Sequence, residues 1–219
     1  MSCVYLIIVG LGGIGRNLVN IVTKEKNDVV VIDKDEKRCK EIVSKYAVLT
    51  VVGDATQKST LEAANAQRAD TLIATTSDDA VNLMAALTAK ELGTKNIIAV
   101  ANREEHMEMF RKAGITMLER SDMTVAHHLY LSAKRPKIKD FISVSDGKAE
   151  VFEVVISQNS RVVGKELSQL NIRGGIMVVI ERNGDMILPK GDTTIKAGDL
   201  VTVFAISKDI EMISSLFAS

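Results

Sequence analysis

The sequence predicts an α/β fold, a Rossmann-like open parallel six-stranded sheet with helices on both faces, followed by a small C-terminal α+β domain. Three observations carry that expectation. A strand-length apolar run, a glycine turn and a helix start follow one another directly, and a second apolar run behind them ends in Asp33. The β-α rhythm then continues to about residue 134, as short apolar runs alternate with helical periodicity. At Pro136, one of only two prolines, the rhythm stops and short alternating strands take over.

The elements follow in order. Residues 4–9 are short enough for a buried strand, Gly10-x-Gly12-x-x-Gly15 comes next, and 17–23 read as helix. Gly10 makes the tight turn, Gly12 lets a pyrophosphate approach the backbone, and Gly15 lets the helix pack closely on the strand. The free N–H groups of the helix start face an anion. A strand over 28–33 closes the unit, and its terminal Asp33 lies 18 positions beyond Gly15, about where a carboxylate accepts hydrogen bonds from ribose hydroxyls. Nucleotide binding is the function this unit predicts.

Residues 35–46 form a charged helix with Cys39, Ile42 and Val43 inward, and 48–52 a third strand. Gly53-Asp54-Ala55-Thr56 turns into a short helix over 61–64, and 71–74 is a fourth strand. Thr75-Thr76-Ser77-Asp78-Asp79 leads into a helix over 80–92, capped by Asp78 and Asp79 and ended by Gly93. A fifth strand over 96–101, a helix over 104–113 stopped by Gly114, and a sixth strand over 115–118 complete the expected sheet. In the helix over 121–134, Met123, Ala126, Tyr130 and Ala133 line one side, and Val125, Leu129 and Leu131 another. Two apolar sides require two partners, its own sheet and something else; the alternative is a terminal helix wedged between the sheet and the next domain.

Pro136 sets the expected boundary between domains 1–135 and 136–219. Beyond it, 149–156 alternates as a strand, 163–170 has the spacing of a short helix, and 177–187 reads as a hairpin about Asn183-Gly184. A turn at Ala197-Gly198-Asp199 feeds a strand over 200–205, and an amphipathic helix over 208–217 closes the chain. A module of this size has a marginal core and commonly docks on a partner.

Composition narrows the function. Of 219 residues, 46% are hydrophobic and 26% charged, which is ordinary for a globular protein. Lys and Arg total 28 and Asp and Glu 28, with aromatics at 4%, so the basic footprint and stacking residues of a nucleic-acid binder are missing. Cys3 and Cys39 lack metal or redox spacing and fit a reducing cytoplasm. No cleavable leader and no apolar run of 18 residues is visible, so neither secretion nor direct membrane insertion is expected.

Catalytic signals are weak. Tyr130-x-x-x-Lys134 matches the pair of short-chain dehydrogenases, but their Gly-x-x-x-Gly-x-Gly turn and their serine are missing, and Tyr130 reads as a packing residue. His106, His127 and His128 show no chelating spacing, so no metal is assigned. No residue is assigned a catalytic role, and the nucleotide reads as a ligand rather than a reagent, with an NAD-dependent oxidoreductase as the alternative. Arg16, in the first helical turn, and Arg103, after the fifth strand, are candidate phosphate contacts. Asp54, Thr56, Thr75, Thr76, Ser77 and Asn102 lie at the carboxyl edge, where open α/β sheets bind ligands.

Taken together, Gly10-Leu11-Gly12-Gly13-Ile14-Gly15-Arg16, Val31-Ile32-Asp33-Lys34-Asp35, Gly53-Asp54-Ala55-Thr56, Ala74-Thr75-Thr76-Ser77-Asp78-Asp79-Ala80-Val81-Asn82 and Ala99-Val100-Ala101-Asn102-Arg103 resemble the RCK (KTN) domain of Trk-type potassium-uptake regulatory proteins. Val162-Val163-Gly164-Lys165, Pro189-Lys190-Gly191-Asp192-Thr193 and Ala197-Gly198-Asp199 are similar to the TrkA-C module that follows that domain. The resemblance spans essentially the whole chain. It implies a cytoplasmic subunit at the inner face of the cell membrane, assembled as dimers into a ring beneath a membrane K+ transporter or channel. It implies NAD(H) or an adenine nucleotide, ATP or ADP, as the ligand that sets ion flux, and the 121–134 helix as a crossover element packed on a second subunit. The candidate nucleotide contacts are Gly10, Leu11, Gly12, Gly13, Ile14, Gly15, Arg16, Asp33, Lys34, Asp54, Ala55, Thr75, Thr76 and Arg103. Gly13 stands where family members carry a bulky residue, which leaves NAD(H) and ATP/ADP both open.

Overall fold

The computed structural model describes residues 4–115, 117–119, 121–145 and 147–218. Cys3, expected beside the first strand, lies outside the described residues.

The first part of the chain alternates strand and helix: β1 (Tyr5–Val9), α1 (Gly13–Lys24), β2 (Asp28–Asp33), α2 (Glu36–Val43), β3 (Leu49–Val52), α3 (Lys58–Ala63), β4 (Thr71–Ala74), α4 (Asp79–Leu92), β5 (Asn96–Val100), α5 (Glu104–Lys112) and β6 (Met117–Glu119). All pairings are parallel, in the order β3-β2-β1-β4-β5-β6. The chain reverses direction across the sheet between β1 and β4, the switch point of a doubly wound fold.

Both faces of the sheet are covered, which is why its strands read as unbroken apolar runs. Ile7, Val9, Val30 and Ile32 face one core with Leu72 and Phe110, whereas Ile8, Val29 and Val31 face a second with Val19, Cys39 and Ile42. Successive residues of one strand thus belong to different layers. Ala85, Ala86 and Ala89 are fully buried, so α4 lies close to its sheet. Helix α1 starts earlier than the residue pattern suggested, because Gly13 already belongs to its first turn. In α2, Asp35 caps the N–H groups of Lys37 and Arg38, Cys39 and Ile42 are buried, and Val43, expected inward, is exposed.

Contacts divide the chain into two compact units, Met1–Thr124 and Val125–Ser219. The division falls inside α6 (Ser121–Lys134) rather than at Pro136. The second unit holds β7 (Ile138–Val144), β8 (Ala149–Val155), β9 (Gly175–Arg182), β10 (Asp185–Ile187), β11 (Leu200–Ile206) and α7 (Ile210–Ala218). They form an antiparallel sheet ordered β10-β9-β11-β8-β7 around Phe152, Val154, Ile180, Val201, Val203 and Phe217. The hairpin between β9 and β10 turns at Asn183 and Gly184, both with positive φ, as a tight two-residue loop requires.

The structure departs from the sequence reading of this region at three points. Strand β7 was not read from the sequence, because a register irregularity between Ile138 and Asp140 breaks its alternation. The expected helix over 163–170 does not form; only Leu167–Gln169 make a 3-10 turn. Gly164 takes φ +82°, and the N–H groups of Gly164, Leu167 and Ser168 donate to Ile195, Thr193 and Gly191 carbonyls instead of up a helix. The third concerns α6, where Leu131 packs into the second unit's core while Met123, Val125, Leu129 and Tyr130 are exposed, including Tyr130 in place of its expected packing role.

One ion pair fastens the second sheet. Asp199, 1% exposed, receives Arg182 Nε at 2.7 Å on one oxygen and Arg182 Nη2 at 2.8 Å on the other, with the Lys196 N–H at 2.9 Å. Burial alone pushes the Asp199 carboxyl up, but the bonds from Arg182 and Lys196 outweigh it and hold the group below the ordinary value. Among the described residues no helix is long and apolar enough to cross a membrane.

Candidate functional site

The turn after β1 is set by two glycines of different kinds. Gly10 has φ +95°, and its N–H donates to the Ile32 carbonyl at 2.8 Å. A Cβ on Gly15 would lie 1.8 Å from the Gly10 oxygen, so α1 meets β1 at a distance only glycine permits. The Thr75 hydroxyl reaches the Val9 carbonyl at 3.0 Å and the Gly10 carbonyl at 3.2 Å, tying the end of β4 to the turn. A Cβ on Gly12 or Gly13 would meet nothing within 4 Å, because the turn opens there onto a cavity.

That cavity, about 630 Å³, runs along the carboxyl edge of the parallel sheet. Gly10, Gly12, Gly13 and Ile14 line its centre, Asp33, Lys34, Asp35 and Arg38 the β2 side, Gly53 and Ala55 the β3 side, and Thr75 to Asp78 with Asn102 the β4–β5 side. Asp33 joins two of these walls: one oxygen accepts the Leu11 N–H at 2.5 Å and the other the Asp35 N–H at 2.9 Å. Each oxygen retains lone-pair capacity for a ligand hydroxyl. Lys34 pairs with Asp54 at 3.1 Å. Hydrogen bonds from the Thr56 N–H and hydroxyl, then from Lys34, hold the Asp54 carboxyl below its ordinary range.

Nine of the fourteen candidate contacts line the cavity, Gly10, Gly12, Gly13, Ile14, Asp33, Lys34, Ala55, Thr75 and Thr76, as do the edge residues Ser77 and Asn102. Leu11 is buried behind it and contributes its N–H to Asp33; Gly15 acts through packing; Asp54 stands behind Lys34. The two arginines point elsewhere. Arg16 donates from Nε to the Leu11 carbonyl at 3.0 Å and from both terminal nitrogens to Glu41 at 3.1 Å. The Arg103 guanidinium is exposed, 3.6 Å from Glu105. Neither lines the cavity.

Sequence reasoning missed Arg38, which lies in the first turn of α2, pairs with Asp35 at 3.3 Å and faces the cavity. The signal was available, since three positions along a helix from its cap lead back toward the strand end. It also missed the role of Asp79. Asp78 caps α4 through the Ala80 and Val81 N–H groups, whereas Asp79 turns inward and receives Asn102, Arg103 and His106. Of the Tyr130 and Lys134 pair, Lys134 lies 3.7 Å from Glu211. Among the described residues no group of three His, Cys, Asp or Glu side chains could hold a metal ion.

The TrkA-N domain family matches residues 6–120, and the TrkA-C domain family residues 151–218. A Trk system potassium uptake protein TrkA homolog of Methanothermobacter thermautotrophicus is 33% identical over 200 residues, covering 91% of this chain and 92% of its own. The TrkA homolog 2 of Methanosarcina mazei is 32% identical over 216 residues, covering 97% of this chain but 48% of its own, so the chain spans about half the length of some curated relatives. Among solved structures, the GsuK channel bound to NAD superposes with a TM-score of 0.67 at 20% identity, over 100% of this chain and 40% of that one. The TrkA-N domain of the inner membrane protein ybaL from Escherichia coli gives 0.54 at 20% identity, over 59% of this chain and 96% of that one. At such identities these structures speak for the fold alone.

Proposed function

The chain belongs to the TrkA family, with a TrkA-N domain followed by a TrkA-C domain, and from that premise we propose that it is a regulatory, gating subunit of a potassium uptake transporter or channel. The TrkA-N domain binds NAD(H) or an adenine nucleotide, and the TrkA-C domain is the regulatory module. The observation that carries the reading is the cavity at the β1/β4 switch point, where an open glycine turn stands beside the Asp33 carboxylate. The turn accommodates phosphates, and the carboxylate takes the ribose hydroxyls.

Binding, without chemistry, is the role we assign. The titratable groups of the lining are engaged in structure: Asp33 accepts the Leu11 and Asp35 N–H groups, Lys34 pairs with Asp54, Asp35 with Arg38, and Asp78 caps α4. The exposed apolar residues of α6, Met123 and Tyr130 on one side and Val125 and Leu129 on another, support a homodimer as the building block of a ring. The ring sits in the cytoplasm, peripheral to the inner face of the membrane through its K+-conducting partner. Nucleotide moves the gate only through a difference in affinity between ring arrangements.

The test joins light scattering of the purified chain to K+ flux through the reconstituted membrane partner with and without nucleotide. Nucleotide-dependent flux is expected, lost in Leu129→Asp together with the dimer while nucleotide binding persists. A native monomer, or flux indifferent to every nucleotide, defeats the proposal.

A further inference from the structure

The two ends of the cavity differ in chemistry, and one amide accounts for much of the difference. Asn102, just after β5, donates from Nδ2 to Asp79 Oδ1 at 2.7 Å and to the Thr76 carbonyl at 3.2 Å. Both amide hydrogens are therefore committed, and a flipped amide would set oxygen against two acceptors. The Asn102 carbonyl oxygen is the amide atom left for a ligand.

Neither neighbour can yield easily. Asp79 is 6% exposed; its Oδ1 also takes the Asn102 N–H at 2.7 Å, and its Oδ2 takes the Arg103 N–H at 3.0 Å and His106 Nδ1 at 2.8 Å. Burial alone pushes this carboxyl up, yet the bonds from Asn102, His106 and Arg103 outweigh it and keep it below its ordinary range, hence an acceptor. Thr76 is gripped from the other side by Asn82, 0% exposed, which accepts the Thr76 N–H at 2.9 Å and hydroxyl at 2.7 Å and donates to the Thr76 and Val100 carbonyls.

Charge is uneven in the same sense. Lys34 and Arg38 line the β2 side, each paired with a carboxylate, Asp54 and Asp35, whereas no cation at all lines the β4–β5 side among the described residues. The Arg16 and Arg103 guanidiniums lie beside Glu41 and Glu105. The N-terminus of α4, which would otherwise favour an anion, is already capped by the Asp78 carboxylate. A phosphate tail reaching that end meets a carboxylate and an acceptor oxygen without a cation to offset them. Sugar hydroxyls or a carboxamide bring donors.

We propose that Asn102, positioned by Asp79, determines ligand specificity: its fixed carbonyl oxygen selects a dinucleotide, whose second nucleoside carries hydrogen-bond donors, over a nucleoside triphosphate. The proposal rests on the nucleotide reading of the cavity given above. Strand order supports the geometry, since Asp33 on β2 and Asn102 after β5 flank the turn after β1 from opposite sides, as the two halves of a dinucleotide would.

Calorimetry on the full chain with NAD, ADP and ATP tests it. NAD should bind about tenfold more tightly than ADP, and ATP no more tightly than ADP. Asn102→Ala should weaken NAD about tenfold and leave ADP within about twofold, a split that a general loss of structure does not produce. Asp79→Asn, which keeps the shape but no longer orients the amide, should give the same split. ATP binding more tightly than NAD, or variants that weaken NAD and ADP equally, overturns the proposal. ADP binding without preference for NAD defeats the Asn102 assignment alone, whereas a wild type that binds none of the three defeats the nucleotide reading and this proposal with it. The wild-type ranking decides even where a variant fails to fold.

Discussion

Substituting the glycines of the turn one at a time should separate packing from binding. In Gly15→Ala the new methyl carbon lands 1.8 Å from the Gly10 oxygen and 3.0 Å from both the Gly10 carbonyl carbon and the Thr75 hydroxyl. Ordinary non-bonded contact begins near ~3.5 Å, so α1 must retreat from β1 by more than ~1 Å or the Gly10 peptide must rotate. The first response opens the packing of Val19 against Ile8 and Val31. The second breaks the Thr75 bond to the Gly10 carbonyl. Overpacking of this kind costs about 1–3 kcal/mol, and the second response adds about 1 kcal/mol for the lost hydrogen bond, so the cost is about 1–4 kcal/mol. For a chain of this length the melting temperature should fall by roughly 3–15 °C. Gly12 has φ −71° and open space at its Cβ position, so Gly12→Ala should melt with the wild type while its methyl group, directed into the cavity, weakens nucleotide binding. Thermal unfolding followed by circular dichroism, with calorimetric titration of each variant, measures both. A Gly15→Ala chain that melts with the wild type, or a Gly12→Ala chain that melts as low as Gly15→Ala, refutes the reasoning.

Three further outcomes are expected. Asp33→Ala should weaken NAD by about tenfold to a hundredfold, and the wild type should bind NAD well above NADP, because a 2′-phosphate beside Asp33 meets like charge; equal calorimetric affinities for NAD and NADP would contradict this. Arg182→Ala strands the buried Asp199 carboxylate and should cost about 3–5 kcal/mol in urea unfolding, while Arg182→Met with Asp199→Leu should recover much of it; a harmless single variant would show that the pair is dispensable. Asp79 and Asp199 are both held below the ordinary value of 3.8, so their stabilisation is complete above that pH and is lost as pH falls through the folded-state values. The urea midpoint should therefore stay level from about pH 7 to 5 and drop below about pH 4, with a shallower drop in Asp199→Asn; a midpoint that rises below pH 4 would reverse the assigned sign.

What could be read from the sequence is what neighbours along the chain decide. The parallel strands were legible because residues such as Ile7 and Ile8 are buried in opposite layers and leave an unbroken apolar run. Gly10, Gly15 and Asp33 belong to one local unit whose spacing is its geometry. Where a partner lies far along the chain, local pattern misleads. An aspartate at the first position of a helix reads as a cap, yet Asp79 is claimed by the N–H groups of Asn102 and Arg103 and by His106, all from the next strand-helix turn. Arg16 reads as a phosphate contact until Glu41, on the neighbouring helix, competes for it. The spacing of Val163, Leu167 and Leu170 is helical, but Gly164 takes a positive φ and the N–H groups of Gly164, Leu167 and Ser168 donate to the Ile195, Thr193 and Gly191 carbonyls instead. Helix α6 extends the point to assembly. Periodicity counted two apolar sides; Leu131 found a core within the chain, while Met123, Val125, Leu129 and Tyr130 did not. In the homodimer proposed above a second copy covers those residues, and nothing in the sequence nearby records which surface does so.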